Sequence, residues 1–395
     1  MFTDGYPIRM DACGEKLRLP FASLPAVSRM NSKSSLFASH ELAFPLVLGG
    51  VIWLAIILYW QHVGFSIFDR GDVYTYMDWS YHLNRHADAC HMPGYPALLL
   101  VGRLVTLHLM PDTFVAQCLG LLTWVCGLFL ARAVLARIAS DTIRVGLMVF
   151  GLFPLLGVWS AADPVADLLA YAVALAALLF ALENRFGAFA CATGAGLMVH
   201  QAFYSFNAFL GAACVAKGMR WRYLLLCGVP FTAYYLFIAA QRGDINWIMS
   251  YHLDVILLPR DVGQFPVFDG LVGTVLQGGA RYAVKAALVD LSFAVAIVLS
   301  IDCIRRRNWV LLSCCVPVVL AGILAPRSQA WVIFRLSKLL VFPACWWLNG
   351  HARLLRTLDR TPVYLTVALV LAISQFAWAH YDVIYTRPEI ISLVR

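Results

Sequence analysis

Apolar and polar positions along this chain are gathered into blocks and do not alternate. Runs without a charge recur, each about 17 to 20 residues, the length at which a helix crosses roughly 30 Å of hydrocarbon. The first lies near 44–61 (FPLVLGGVIWLAIILYWQ). Further apolar blocks, some holding a charge, fall near 113–131, 143–159, 165–182, 186–201, 203–217, 223–240, 284–302, 309–325, 332–349 and 361–380. Barrel strands would alternate residue by residue, and that pattern is missing. The blocks therefore predict an all-α, polytopic membrane protein with about 11 transmembrane helices. Residues 1–42 are mixed and basic (Arg9, Lys16, Arg18, Arg29, Lys33) and lack the apolar core of a signal peptide. They are expected to form a disordered cytoplasmic tail, with 43–395 as a single integral membrane domain.

One block is ambiguous. Residues 94–111 (GYPALLLVGRLVTLHLMP) carry Arg103 and His108 in mid-segment. The segment either crosses the membrane or lies in its interface as an amphipathic helix. Charge decides between the two. With an interfacial 94–111, about 18 basic residues fall on the cytoplasmic side and about 12 outside; with a crossing helix the tally is about 14 against 15. The bias of basic residues toward the cytoplasm favours the interfacial helix and a cytoplasmic N-terminus. The elaborate loops, 62–112 and 241–283, then face outward.

Composition adds limits. The 395 residues are 61% hydrophobic and 13% charged, where a soluble domain carries about 25% charged residues. The net charge of +8 resides in short clusters flanking apolar blocks, so it implies membrane lipids as neighbours and no nucleic-acid partner. The cysteines form no CxxC pair with a matching partner, and most lie inside apolar blocks as small hydrophobes. Short loops suggest a bacterial inner membrane. His82 and His86 have a chelating i, i+4 spacing, yet no HExxH or cysteine pair accompanies them, so no metal is expected. Walker and Rossmann glycine patterns are absent, and no cofactor is expected.

The chemistry concentrates in the first outer loop, FDRGDVYTYMDWSYHLNRHADACHMPGYP. Carboxylates, histidines and arginines are interleaved there with tyrosine and tryptophan. Aromatic faces plus carboxylates suit a carbohydrate, and a solvated loop would look similar. The order of a first span, GDxxxY (Gly71, Asp72, Tyr76), then PGYP (Pro93, Gly94, Tyr95, Pro96) and an apolar interfacial helix resembles the GT-C superfamily. These are polytopic glycosyltransferases that use lipid-phosphate-linked sugars, such as protein mannosyltransferases and aminoarabinose transferases. The resemblance covers roughly residues 44–185. It implies an essential acidic residue early in the first outer loop, a polyprenyl-phosphate-sugar donor, and a glycan, lipid or protein acceptor. Several of those families carry an Asp-Glu pair where this chain reads Gly71-Asp72. Both Asp72 and Asp69 therefore remain catalytic candidates.

Transfer of a sugar to a hydroxyl needs a base for the acceptor proton. The departing polyprenyl phosphate needs cations to stabilise its charge. Candidate cations occur in the late turn PRSQAWVIFRLSKLL: Arg327, then Arg335 and Lys338 one turn apart. A cation inside an apolar block costs about 2.5 to 3.5 kcal/mol on insertion scales. A polar cavity or a bound anion offsets that cost, and so does snorkelling to headgroups. Asp163 and Asp167 open a span in SAADPVADLLAY, which an ordinary helix entry also explains. The resemblance makes Asp163 a secondary site residue. Tyr76, His91, Tyr95 and His200 complete the substrate-binding candidates. Two rival functions fit the same pattern. One is a surface polysaccharide polymerase or ligase. The other is a lipid-linked sugar transporter or flippase.

Overall fold

The computed structural model describes residues 40–66, 71–81, 92–154, 156–162, 166–242, 280–324 and 330–386. Among them every regular element is helical. Helix α1 is His40–His62, α2 Gly71–Tyr81, α3 Gly94–Val105, α4 Asp112–Ile138, α5 Ile143–Gly151, α6 Trp159–Ala162, α7 Ala166–Leu182 and α8 Phe186–Leu197. Then follow α9 Tyr204–Ala216, α10 Arg222–Arg242, α11 Ala280–Arg305, α12 Trp309–Leu324, α13 Ala330–Ser337, α14 Val341–Asn349, α15 Ala352–Leu358 and α16 Thr361–Thr386.

Five of these helices, α1, α4, α10, α11 and α16, are long and apolar enough to cross a membrane. The expected spans at 165–182, 186–201, 203–217 and 309–325 are helices of 17, 12, 13 and 16 residues. They rise roughly 18 to 26 Å, less than a full hydrocarbon core. Helix α3 has 12 residues and rises roughly 18 Å, shorter than the apolar block 94–111. It ends where Leu107 and His108 turn left-handed, with φ of 53° and 57°.

Two expected spans are broken. The block 143–159 is helical only to Gly151 and resumes as the single turn α6. Pro154 and Gly157 lie in the gap, and a side chain from the last helix fills it. A Cβ at Gly157 would stand 2.6 Å from Gln375 Oε1. The block 332–349 divides at the 3-10 turn Lys338–Leu340, between α13 and α14.

Small residues make the centre dense. In α7, Ala170, Ala174, Ala177 and Ala181 recur at helical spacing and are buried. Without a hydrophobic force between helices in lipid, close approach through small side chains drives packing. Gly120 of α4 shows the limit, since a Cβ there would meet the Ala161 carbonyl oxygen at 2.5 Å.

Alternating helix directions give the bundle two ends. One is tied by ion pairs between elements: Arg132–Glu41 at 3.2 Å, Arg137–Glu183 at 2.7 Å and Arg144–Asp359 at 3.4 Å. Lys217 donates there to the Ala181 carbonyl at 3.2 Å. The other end holds α2, α3, α6, the start of α7 and the turn between α8 and α9.

Candidate active site around Asp167

Asp167 lies in the first turn of α7 and is buried. Its carboxylate Oδ1 is 3.0 Å from Nε of Arg335 on α13 and 3.6 Å from Nε2 of His200. His200 Nδ1 accepts the Ala202 backbone N–H at 3.0 Å. The ring hydrogen is thereby assigned to Nε2, facing the carboxylate. Tyr171, one turn after Asp167, donates its hydroxyl to the Arg335 carbonyl. Phe203 stacks edge-on against Tyr171 at 5.0 Å.

Lys338 is 1% exposed. Its ammonium donates to the Leu156 carbonyl at 2.5 Å and lies 4.2 Å from the Phe150 ring centre and 4.9 Å from that of Tyr171. A buried ammonium is tolerable only with such a carbonyl and aromatic faces around it. Arg335, the cation paired with Asp167, reaches partial exposure, at 28% of its side chain.

The gap between α5 and α6 is held by side chains. Trp124 Nε1 donates to the Gly151 carbonyl at 2.9 Å. Gln375 Nε2 donates to the carbonyls of Leu152 and Phe153 at 3.2 and 3.3 Å, and its Oε1 accepts from the Trp159 N–H at 3.0 Å. With Lys338 on Leu156, the carbonyls of Gly151, Leu152, Phe153 and Leu156 and the Trp159 N–H all have side-chain partners. Buried non-helical backbone requires such partners.

The first-loop motifs join this cluster. GDxxxY falls on α2, so position 72 stands one turn before Tyr76. Tyr76 meets Tyr95 of PGYP edge-to-face at 5.2 Å. Gly94 of the same motif donates its N–H to the Met198 carbonyl at 2.8 Å, two residues before His200. A Cβ on Gly94 would stand 2.7 Å from that oxygen, so this approach requires glycine. Helix α2 is held in turn by Arg103, which is 1% exposed. Its Nε donates to Asp112 at 2.9 Å, Nη2 donates to the Met77 carbonyl at 3.3 Å, and the guanidinium lies 3.5 Å over the Tyr81 ring. The Tyr81 hydroxyl donates to the same carboxylate, which raises its pKa.

Among the sequence candidates, Tyr76, Tyr95, His200, Arg335 and Lys338 are brought into one region. Asp69, His91, Asp163 and Arg327 lie outside the described residues, as does the side chain of Asp72. Lys338, a phosphate-contact candidate in the sequence, has its ammonium buried and bonded to the Leu156 carbonyl. Asp167 has more than the helix-entry role its position suggested, since two cationic or polar side chains converge on it. Tyr171 and Gln375 were missed. The available signal was a tyrosine four residues after a carboxylate, and a lone glutamine in an apolar block.

These features define a class: an all-helical protein with membrane-length apolar helices and a buried charged cluster at one end. No family model, curated protein or solved structure matches the chain.

Proposed function

We propose that this protein is a membrane glycosyltransferase that takes a sugar from a polyprenyl-phosphate donor and adds it to a glycan, lipid or protein acceptor on the outer face of the membrane. About eleven helical segments cross or enter the bilayer in this reading, with α3 in the outer interface. The basic, ion-paired end faces the cytoplasm and carries the N-terminus. The membrane is a bacterial inner membrane.

One observation carries the proposal. Gly94 docks on Met198, and that contact joins GDxxxY and PGYP to the turn bearing His200, hence to Asp167 and Arg335. The acceptor oxygen attacks the anomeric carbon as the bond from that carbon to the phosphate oxygen breaks. The phosphate leaves with the bonding electrons, and the acceptor proton passes to a carboxylate, for which Asp72 is preferred and Asp69 is second. Arg335, with Arg327, steadies the departing anion. Asp167 and His200 hold Arg335 in place, and Lys338 fixes the unwound segment beside it. Tyr76, Tyr95, His91 and Asp163 contribute sugar contacts.

The test uses membranes containing the full chain and a panel of polyprenyl-phosphate hexoses and pentoses, with released polyprenyl phosphate quantified. Asp72→Asn is expected to abolish release while the protein inserts normally. Near-normal release by that variant would remove the mechanism.

A lipid-linked sugar flippase is the rival that the interrupted segment 152–158 favours, because broken helices line many transport sites. Movement of the labelled donor across vesicles, without cleavage, would select it.

A further inference from the structure

At the end of the bundle opposite Asp167, two arginine groups distant in sequence come together. Arg305 closes α11 and Arg306 follows it, and Arg353 and Arg356 lie on α15, with Arg360 just beyond. The join is at Gly350, where a Cβ would stand 3.6 Å from Arg306 Nη1 and 3.7 Å from Nη2. The neighbouring acids are already committed: Asp302 pairs with Arg306 at 3.0 Å, and Asp359 pairs with Arg144 at 3.4 Å. Arg305, Arg353, Arg356 and Arg360 are exposed and have no acidic partner among the described residues. The patch thus holds more positive charge than the fold itself uses.

Helix α15 adds a second feature. It has no buried residue. Its leucines 354, 355 and 358 share one side at spacings of one, three and four, and Arg353 and Arg356 occupy the other. Leu354 is 43% exposed. A short, basic, two-sided helix with an uncovered leucine suits the boundary between headgroups and acyl chains. A soluble anion would answer the arginines and leave the leucine in water.

We propose that α15 and the end of α11 form a docking surface for anionic phospholipid headgroups. The arginines take the phosphates, and the leucine side of α15 sits among the upper acyl carbons. This surface is separate from the Asp167 region and stands whether or not the transferase reading does.

The experiment is native mass spectrometry of the full-length protein with equal amounts of phosphatidylglycerol and phosphatidylcholine of identical chains. The wild type is expected to retain phosphatidylglycerol selectively. The triple variant Arg353→Gln, Arg356→Gln, Arg360→Gln should lose that preference by about fivefold per arginine removed. The corresponding triple lysine variant should keep most of it, which also shows that the region tolerates substitution. Equal retention of both lipids by the wild type, or an unchanged preference in the glutamine variant, overturns the proposal. So does an equal loss on neutralising Arg220 and Arg222, since the effect would then belong to net charge and not to this surface. Tight binding of a labelled oligonucleotide that phosphatidylglycerol vesicles fail to displace overturns it as well.

Discussion

Asp167 shows how one side chain acquires its meaning from neighbours remote in sequence. It is buried with Arg335 Nε 3.0 Å from its Oδ1, and removing its charge breaks that pair from one side. Breaking a buried pair from one side costs about 3 to 5 kcal/mol. Asp167→Asn is therefore predicted to lower the thermal midpoint of the detergent-purified protein sharply, and Asp167→Asn with Arg335→Gln to recover part of the loss. A double variant as unstable as the sum of the singles would refute the coupling. The sequence offered Arg335 and Lys338 as cations in an apolar block, and that much was legible from their cost in lipid. Their different fates were not. The identity of the carbonyl that Lys338 reaches depends on where the chain unwinds near Leu156, which no local pattern specifies.

At the scale of elements, lengths were easier to read than breaks. Blocks such as 361–380 appear as one long helix because hydropathy alone fixes a minimum length for crossing. The interruption in 143–159 depends instead on Gln375, which lies more than two hundred residues away. Gln375→Leu removes the partners of two carbonyls and one N–H, at about 1 to 3 kcal/mol for each buried group left unsatisfied. We predict a loss of several degrees in thermal midpoint, read against Ser374→Ala as a neighbouring control. An unchanged midpoint would mean that the gap is satisfied by other means. Gly94→Ala belongs to the same scale. Its Cβ would clash with the Met198 carbonyl, so α3 should move away from the turn carrying His200. The expected outcome is faster amide exchange across 94–105 with little change in α4, and uniform exchange would refute the docking.

For the whole molecule, the proposed orientation rests on the basic residues gathered at one end of the described bundle. A single cysteine at position 108 is predicted to react with a membrane-impermeant maleimide in intact cells, above the background of native thiols. One at position 140, at the basic end, is predicted to react only after permeabilisation. The reverse pattern would invert the chain and detach the motifs of α2 and α3 from the outer face. The overall class was visible in the sequence because exclusion of charge from long blocks is a whole-chain property. The count of complete crossings was not, because several helices are shorter than their apolar blocks. Their remaining residues go into turns that position His200 and Lys338.

The plug formed by Gln375 has a bearing on biogenesis. Domains emerge from the ribosome N-terminal end first, so residues 152–158 are made long before position 375 is translated. Until then, three polar backbone groups await their partner, and the nascent chain has reason to linger with insertion machinery that can shield them. Truncation just before Ser374 should yield a product that is inserted yet rapidly degraded, whereas truncation after Thr386 should be tolerated.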